Sequence, residues 1–237
     1  MATFDPLGIE SMSVFVPLQI SCTHCGDTKE RTTAATLHGP RVPEVAEQIR
    51  KGIFQRVKCG ACGEVFSIDS PLTYLDFKAG IWLTMYPLAW EVRWKNLEHE
   101  PRKDMVRAVC ENAPPSARSL ADGMRVRAVF GLEALREKLL CFEANLPDDA
   151  LEVLKLQLLT ARKDVPLQPQ YRPRLVALEE DRLVFHQPLE DGGEVVGVPM
   201  AMLTRLRDDP LPWVHAHTAT SAGAYTDIGR LMLKGTG

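Results

Sequence analysis

Two short runs constrain this chain more than anything else in it: Cys22-Thr23-His24-Cys25-Gly26 and Cys59-Gly60-Ala61-Cys62-Gly63. Two residues inside each cysteine pair let one tight turn aim both sulfurs at a single point. Glycine after the second cysteine permits the positive φ, or the close approach, that such a turn needs. Four thiolates from two such knuckles make the closed tetrahedral set of a structural zinc site. Cys22, Cys25, Cys59 and Cys62 are therefore the expected ligands of one structural zinc ion. The 33 residues between Cys25 and Cys59 exceed the spacing of a compact zinc ribbon, and an inserted helix accounts for the length. A dithiol redox pair would need a strand–turn–helix setting, whereas each knuckle here is followed by a strand-like stretch.

The rest of the composition sets the frame for that site. Apolar residues make up 45% and charged residues 25% of 237, the balance of a globular protein without long disorder. The net charge is −3, and residues 1–100 hold 10 Lys/Arg against 12 Asp/Glu, so no broad basic field draws in nucleic acid or an anionic membrane. Met1 to Ser11 carries Asp5 and Glu10 and lacks the basic cap and apolar run of a secretory leader. The expected location is therefore the reducing cytoplasm, where closely spaced cysteines point to metal before disulfide. Ile81 to Trp90 is the most hydrophobic stretch, but it is about half the ~20 residues of a membrane helix. It reads as a buried strand or core segment.

Along the chain, Val14–Ser21 and Thr28–Thr36 read as strands flanking the first knuckle, and residues 43–52 as the inserted helix. Residues 54–58 and 64–69 read as strands flanking the second knuckle. Residues 101–112 read as a helix and Ala113-Pro114-Pro115-Ser116 as a linker. Met124–Phe130 alternates like a strand. Leu132, Leu135, Leu139 and Phe142 mark a helix, and Leu151, Leu154 and Leu158, widened by Val153, Leu156 and Leu159, mark another that is buried on more than one side. Arg174–Val198 reads as a β-meander, with helices near Met200–Arg207 and Ile228–Leu233 after it. The expected fold class is α+β: a zinc-ribbon domain over 1–100, a mainly helical segment over 101–165, and a β-meander with terminal helices over 166–237.

The remaining chemistry-bearing residues read plainly. His24 is expected as an exposed turn residue, because four thiolates already close the shell. Cys110 and Cys141 sit on helical patterns as small buried apolar residues. His215-Ala216-His217 puts two imidazoles on one face of an extended segment, without a third ligand in view. Trp82, Tyr86, Trp90 and Trp94 within Ile81–Trp94 could offer a partner surface, but their spacing fits a core face better. No phosphate loop, nucleophile elbow or metalloprotease helix is present.

The knuckles and their surroundings resemble the bacterial CpXC protein family. The resemblance is carried by Ile20–Gly26, by the helix preceding Val57–Gly63, by Pro71–Asp76 and by the apolar stretch from Ile81 to Pro87. It continues in Leu135–Leu139 and Leu146–Leu156, so that it covers about residues 12–160. The family name refers to a proline after the first cysteine of each knuckle, where this sequence has Thr23 and Gly60. The resemblance implies a zinc-binding bacterial protein and supplies no reaction.

Three functions follow as expectations. The first is a zinc-stabilised, non-enzymatic interaction or adaptor protein whose partner is another protein. The second is a nucleic-acid or transcription-associated zinc ribbon using Arg50, Lys51, Arg56 and Lys58, which the net charge of the first hundred residues disfavours. The third is an enzyme with a site away from the zinc, because four thiolates leave no open coordination position.

Overall fold

The computed structural model describes residues 13–111, 118–119 and 121–233. The linker read at residues 113–116 and the N-terminal stretch Met1–Ser11 lie outside them. The element order is β1 (Val14–Ser21), β2 (Thr28–His38), α1 (Pro43–Arg50), β3 (Arg56–Lys58), β4 (Val65–Ser67), β5 (Leu72–Asp76), β6 (Ile81–Tyr86), α2 (Trp94–Leu97) and α3 (Glu100–Val106). It continues with β7 (Arg125–Phe130), α4 (Leu132–Glu143), α5 (Asp148–Ala161), β8 (Arg174–Leu178), β9 (Arg182–Leu189), β10 (Gly192–Pro199), α6 (Met200–Asp208), α7 (Val214–Ser221) and α8 (Gly229–Met232). The α+β class holds.

Five strands form the main sheet in the order β1-β2-β5-β6-β7, with β2–β5 and β6–β7 parallel and the other neighbours antiparallel. Strand β6 is buried along its whole length. Ile81, Leu83 and Met85 point into the main core with Leu135 and Leu139 of α4, while Trp82 points the other way against Met105 and Val109. Both faces are covered, which is why this segment reads as a continuous apolar run. The aromatic segment is thus core at Trp82, Tyr86 and Trp94, and only Trp90 of that set is exposed.

Three differences from the sequence reading have physical causes. Strand β7 joins the main sheet, and one hydrophobic core runs from Ala34 to Leu206, so the boundaries expected at residues 100 and 165 do not separate independent cores. The 101–112 helix is α-helical only to Val106 and continues as a π-helical turn over Arg107–Glu111. His215 and His217 lie on α7 and not on an extended segment. Two residues so spaced on a helix are about 200° apart, so their imidazoles diverge and cannot share an ion.

Helices α4 and α5 bury charge as well as leucine. Glu137, Lys138, Glu152 and Lys155 are almost wholly enclosed. Glu137 accepts from Lys155 Nζ at 2.7 Å, from Arg174 at 3.0 Å and from the Leu175 N–H at 2.8 Å. Lys138 and Lys155 both reach Glu152, and Lys138 also faces Asp148, which Arg127 clasps with two bonds. Arg174 continues to Asp227, Asp227 to Arg172, and Arg172 to Glu91, where the Tyr225 hydroxyl donates at 2.6 Å. Signs alternate throughout: five cations (Arg127, Lys138, Lys155, Arg172, Arg174) meet five carboxylates (Glu91, Glu137, Asp148, Glu152, Asp227). Burial alone would push Glu137, Asp148 and Asp227 up, but the adjacent cations outweigh it and hold all three below their ordinary values.

Replacing Glu137 with glutamine should cost about 3–5 kcal/mol in chemical denaturation, because Lys155 and Arg174 lose a buried counter-charge. Glu100→Gln, in an exposed pair with Lys103, should leave the denaturation midpoint almost unchanged. The depressed carboxylates also fix the pH dependence. Their contribution is complete above the unfolded carboxylate value, near pH ~4, and is lost as pH falls through the lower folded values. Denaturation midpoints should therefore drop on acidification below about pH 4, and a flat midpoint there would contradict the ionised network.

Candidate metal centre

The two knuckles are built alike, residue for residue. In the first, the Cys22 N–H donates to the Asp27 carbonyl at 2.8 Å and the Gly26 N–H to the Cys22 carbonyl at 3.0 Å. In the second, the Cys59 N–H donates to the Glu64 carbonyl at 2.8 Å and the Gly63 N–H to the Cys59 carbonyl at 3.0 Å. Gly26 and Gly63 take φ of 76° and 80°, the left-handed conformation that glycine adopts without Cβ strain. Cys22 and Cys59 are buried, and Cys25 and Cys62 are exposed.

The knuckles close on each other. Cys22 Sγ lies 3.8 Å from Cys62 Sγ, and Cys25 Sγ lies 3.7 Å from Cys59 Sγ. All four sulfurs fall within 4.8 Å of one another. Sulfurs at the corners of a tetrahedron around a metal at about 2.3 Å stand about 3.8 Å apart. The donor set therefore fits a four-coordinate thiolate site for a metal ion.

Backbone N–H groups prepare the sulfurs. The His24 N–H lies 3.4 Å from Cys22 Sγ. The N–H groups of Cys62 and Ala61 lead in pulling the Cys59 thiol down to about 6. The Glu64 N–H pulls on Cys62 in the same sense, but partial desolvation of the sulfur and the other three sulfurs outweigh it and push that thiol up to about 12. Cys25, bonded by the Asp27 N–H, is likewise held above its ordinary value by partial desolvation of its sulfur and by Cys59 and Cys22. A cation among the sulfurs is what would let all four ionise together. Lys29 Nζ lies beside Gly60, and the Lys58 side chain lies beside Gly63. Lys29 comes from β2, the strand that follows the first knuckle, and Lys58 from β3, the strand that leads into the second.

The tips have almost no apolar core of their own. Across residues 20–31 and 56–67, Cys22 and Cys59 are the buried residues. Below the tips the interior resumes with Thr33, Ala34, Phe54 and Ile68.

The CpXC protein family model matches residues 20–155, more than half of the chain. This chain belongs to the CpXC family. No curated protein and no solved structure matches it. The CpXC match takes in both knuckles and seven of the ten members of the buried network, all but Arg172, Arg174 and Asp227, and it ends before the meander. Thr23 and Gly60 stand where the family name places proline. The N–H groups bonding the sulfurs belong to His24, Ala61, Cys62, Asp27 and Glu64. The residue after each first cysteine contributes none of these bonds, so Thr, Gly or an N–H-free proline can occupy it.

No other cysteine and no imidazole joins this cluster among the described residues. His24 lends it a backbone N–H, but its side chain is exposed. Cys141 is buried with its thiol 3.5 Å from the Leu146 carbonyl, and burial pushes that thiol up. Cys110 is half-buried rather than fully enclosed. Glu137, Glu152 and Asp227 also bring carboxylate oxygens within 4.8 Å of one another. Lys155 and Arg174 already neutralise that trio, and the sequence reading missed it because charged residues on a helix usually face water. The signal was there: Glu152 and Lys155 sit between the leucine stripes of α5 and have no solvent face left.

Cys25→Ser or Cys62→Ser should remove metal binding and strip hydrogen-exchange protection from residues 20–31 and 56–67. Cys141→Ala should keep both and cost only about 1–3 kcal/mol. Equal losses in all three variants with unchanged metal content would refute the ligand assignment.

Proposed function

We propose that the CpXC chain is a zinc-stabilised interaction protein, with the zinc ion held by Cys22, Cys25, Cys59 and Cys62 and another protein as its partner. The observation that carries this reading is the closed set of four sulfurs joining two hairpin tips that otherwise lack a core. Bound there, zinc supplies the charge and tetrahedral geometry that tie the hairpins together. Four thiolates leave no open position for water or substrate, which supports a shape-holding role and a protein that is no enzyme at this centre. Zinc is favoured over iron because it needs no redox partner and imposes no geometry beyond the tetrahedron the sulfurs offer, and an absorption spectrum separates the two.

The surface near the tips suits a protein partner better than nucleic acid. Exposed Lys29, Arg56 and Lys58 are interleaved with Glu30 and Glu64, so no phosphate-tracking stripe forms. Val14, Phe15, Leu18, Ile53 and Val65 are the exposed large apolar residues of this unit among the described residues. Of the segment Ile81–Trp94, strand β6 is withdrawn into the core, while Leu88, Trp90 and Val92 are exposed and add a second apolar surface away from the tips.

Protein purified without metal supplements should carry about one zinc per chain by elemental analysis. Cadmium or cobalt exchange should preserve both the fold by circular dichroism and capture of the partner from a host lysate, because both ions accept tetrahedral thiolates. Chelation should abolish capture. A folded, reduced chain with no metal would remove the zinc assignment, and loss of capture in a well-folded cadmium form would show that the metal's chemistry matters beyond shape.

A further inference from the structure

A cleft of ≈ 550 Å³ opens between the base of the second knuckle hairpin, the start of α4 and the segment leading into β8. That volume lies in the range of small-molecule sites. Ile49, Phe54, Leu88, Phe130 and Leu132 supply much of an apolar lining. Its charged floor, Glu91, Arg172 and Arg174, belongs to the buried network and is already paired.

Three lining charges are left over. Arg136 is locked in place, with Nε donating to the Arg50 carbonyl at 2.6 Å and Nη2 to the Val176 carbonyl at 2.7 Å. Its Nη1 makes no hydrogen bond and its guanidinium no ion pair among the described residues. Burial lowers its pKa, and the Glu133 charge one turn away only partly offsets this. Asp69, on the hairpin side, has one oxygen bonded by the Leu88 N–H at 2.7 Å and forms no ion pair among the described residues. Partial burial pushes the Asp69 carboxyl above its ordinary value against the pull of that N–H. Glu133 is exposed on the first turn of α4.

One fixed cation and two unpaired carboxylates on different elements around an apolar space select a particular chemistry. A polyanion such as a nucleotide would meet two carboxylates, and a simple cation would meet Arg136. We propose that this cleft binds a small zwitterion with an apolar body, of the chemistry of an apolar dipeptide, its carboxylate on Arg136 and its ammonium on Asp69. The proposal is independent of the metal assignment, since none of these residues is at the knuckle tips.

The probes are the dipeptide Leu-Phe, its C-terminal amide and its N-acetyl form, titrated by calorimetry against the full chain. Leu-Phe should bind saturably at one per chain. Arg136→Gln should weaken Leu-Phe roughly tenfold to a hundredfold, the range of a charge-assisted hydrogen bond, and leave the amide unchanged. Asp69→Asn should weaken Leu-Phe and leave the N-acetyl form unchanged. Ser67→Trp, at an exposed lining position, should block every probe while the melting temperature holds. Should Arg136→Gln fail to fold, the Asp69 and Ser67 variants decide the matter. Absence of saturable Leu-Phe binding to the wild-type chain, or binding indifferent to both Asp69→Asn and Ser67→Trp, overturns the proposal.

Discussion

Glu137 is enclosed where α4, α5 and β8 cross, and it has to be ionised there. Its two oxygens accept from an ammonium on α5, a guanidinium on β8 and the Leu175 N–H. No rotation of one helix or sliding of the strand satisfies all three donors at once in another arrangement. A leucine core tolerates small shifts, because apolar contact is non-directional. A buried carboxylate does not, because each unmade bond leaves a charge without compensation. The network therefore fixes the register of the helices against the meander, and the Ile228 N–H on Glu152 and the Asp227 carboxylate on Arg172 and Arg174 anchor the C-terminal segment to the same frame.

The knuckle tips solve the opposite problem. They project from the body on strands whose side chains are mostly exposed. Backbone ladders hold each hairpin, but a two-stranded hairpin alone is marginal in water. Gln55 ties the base of the second hairpin to β2, but at the tips it is the four sulfurs that bring the two hairpins together, and the ion proposed there is what would give so small a unit a defined shape. One chain thus uses two electrostatic devices: protein cations neutralise carboxylates in the body, and the thiolates at the tips call for a metal ion.

What the sequence disclosed follows from the range of each signal. The cysteine pairs are local, and their internal spacing alone places both sulfurs of each knuckle. Hydrophobic alternation likewise located β7, and a continuous apolar run located β6. Pairing partners are not local, so nothing in residues 81–130 announced that β6 and β7 run parallel across the expected boundary at residue 100. The bury-or-expose decision for Glu137 or Lys155 depends on Arg174 and Asp227, far along the chain. Helix α7 was missed for a further reason: Val214–Ser221 has no amphipathic stripe, and β-branched Val214, Thr218 and Thr220 favour strand over helix on propensity alone.

The metal centre and the cleft share the second hairpin but not the same support. At the base of that hairpin Gln55 adopts a φ of 55°, unusual for a residue with a Cβ. The strain is held by three bonds. The Gln55 side-chain oxygen accepts the Ala34 N–H at 3.2 Å, its side-chain amide donates to the Ile68 carbonyl at 3.0 Å, and its own carbonyl accepts the Ile68 N–H at 3.0 Å. Phe54 and Ile68 are buried on either side of this clamp. The cleft wall at Phe54, Ser67 and Asp69 is therefore tied to β2 and to the core through Gln55, while the tip beyond Lys58 relies on the sulfurs. Loosening the tips leaves that clamp in place, so the proposed partner surface at one end of the hairpin and the proposed ligand cleft at the other do not depend on each other's occupancy.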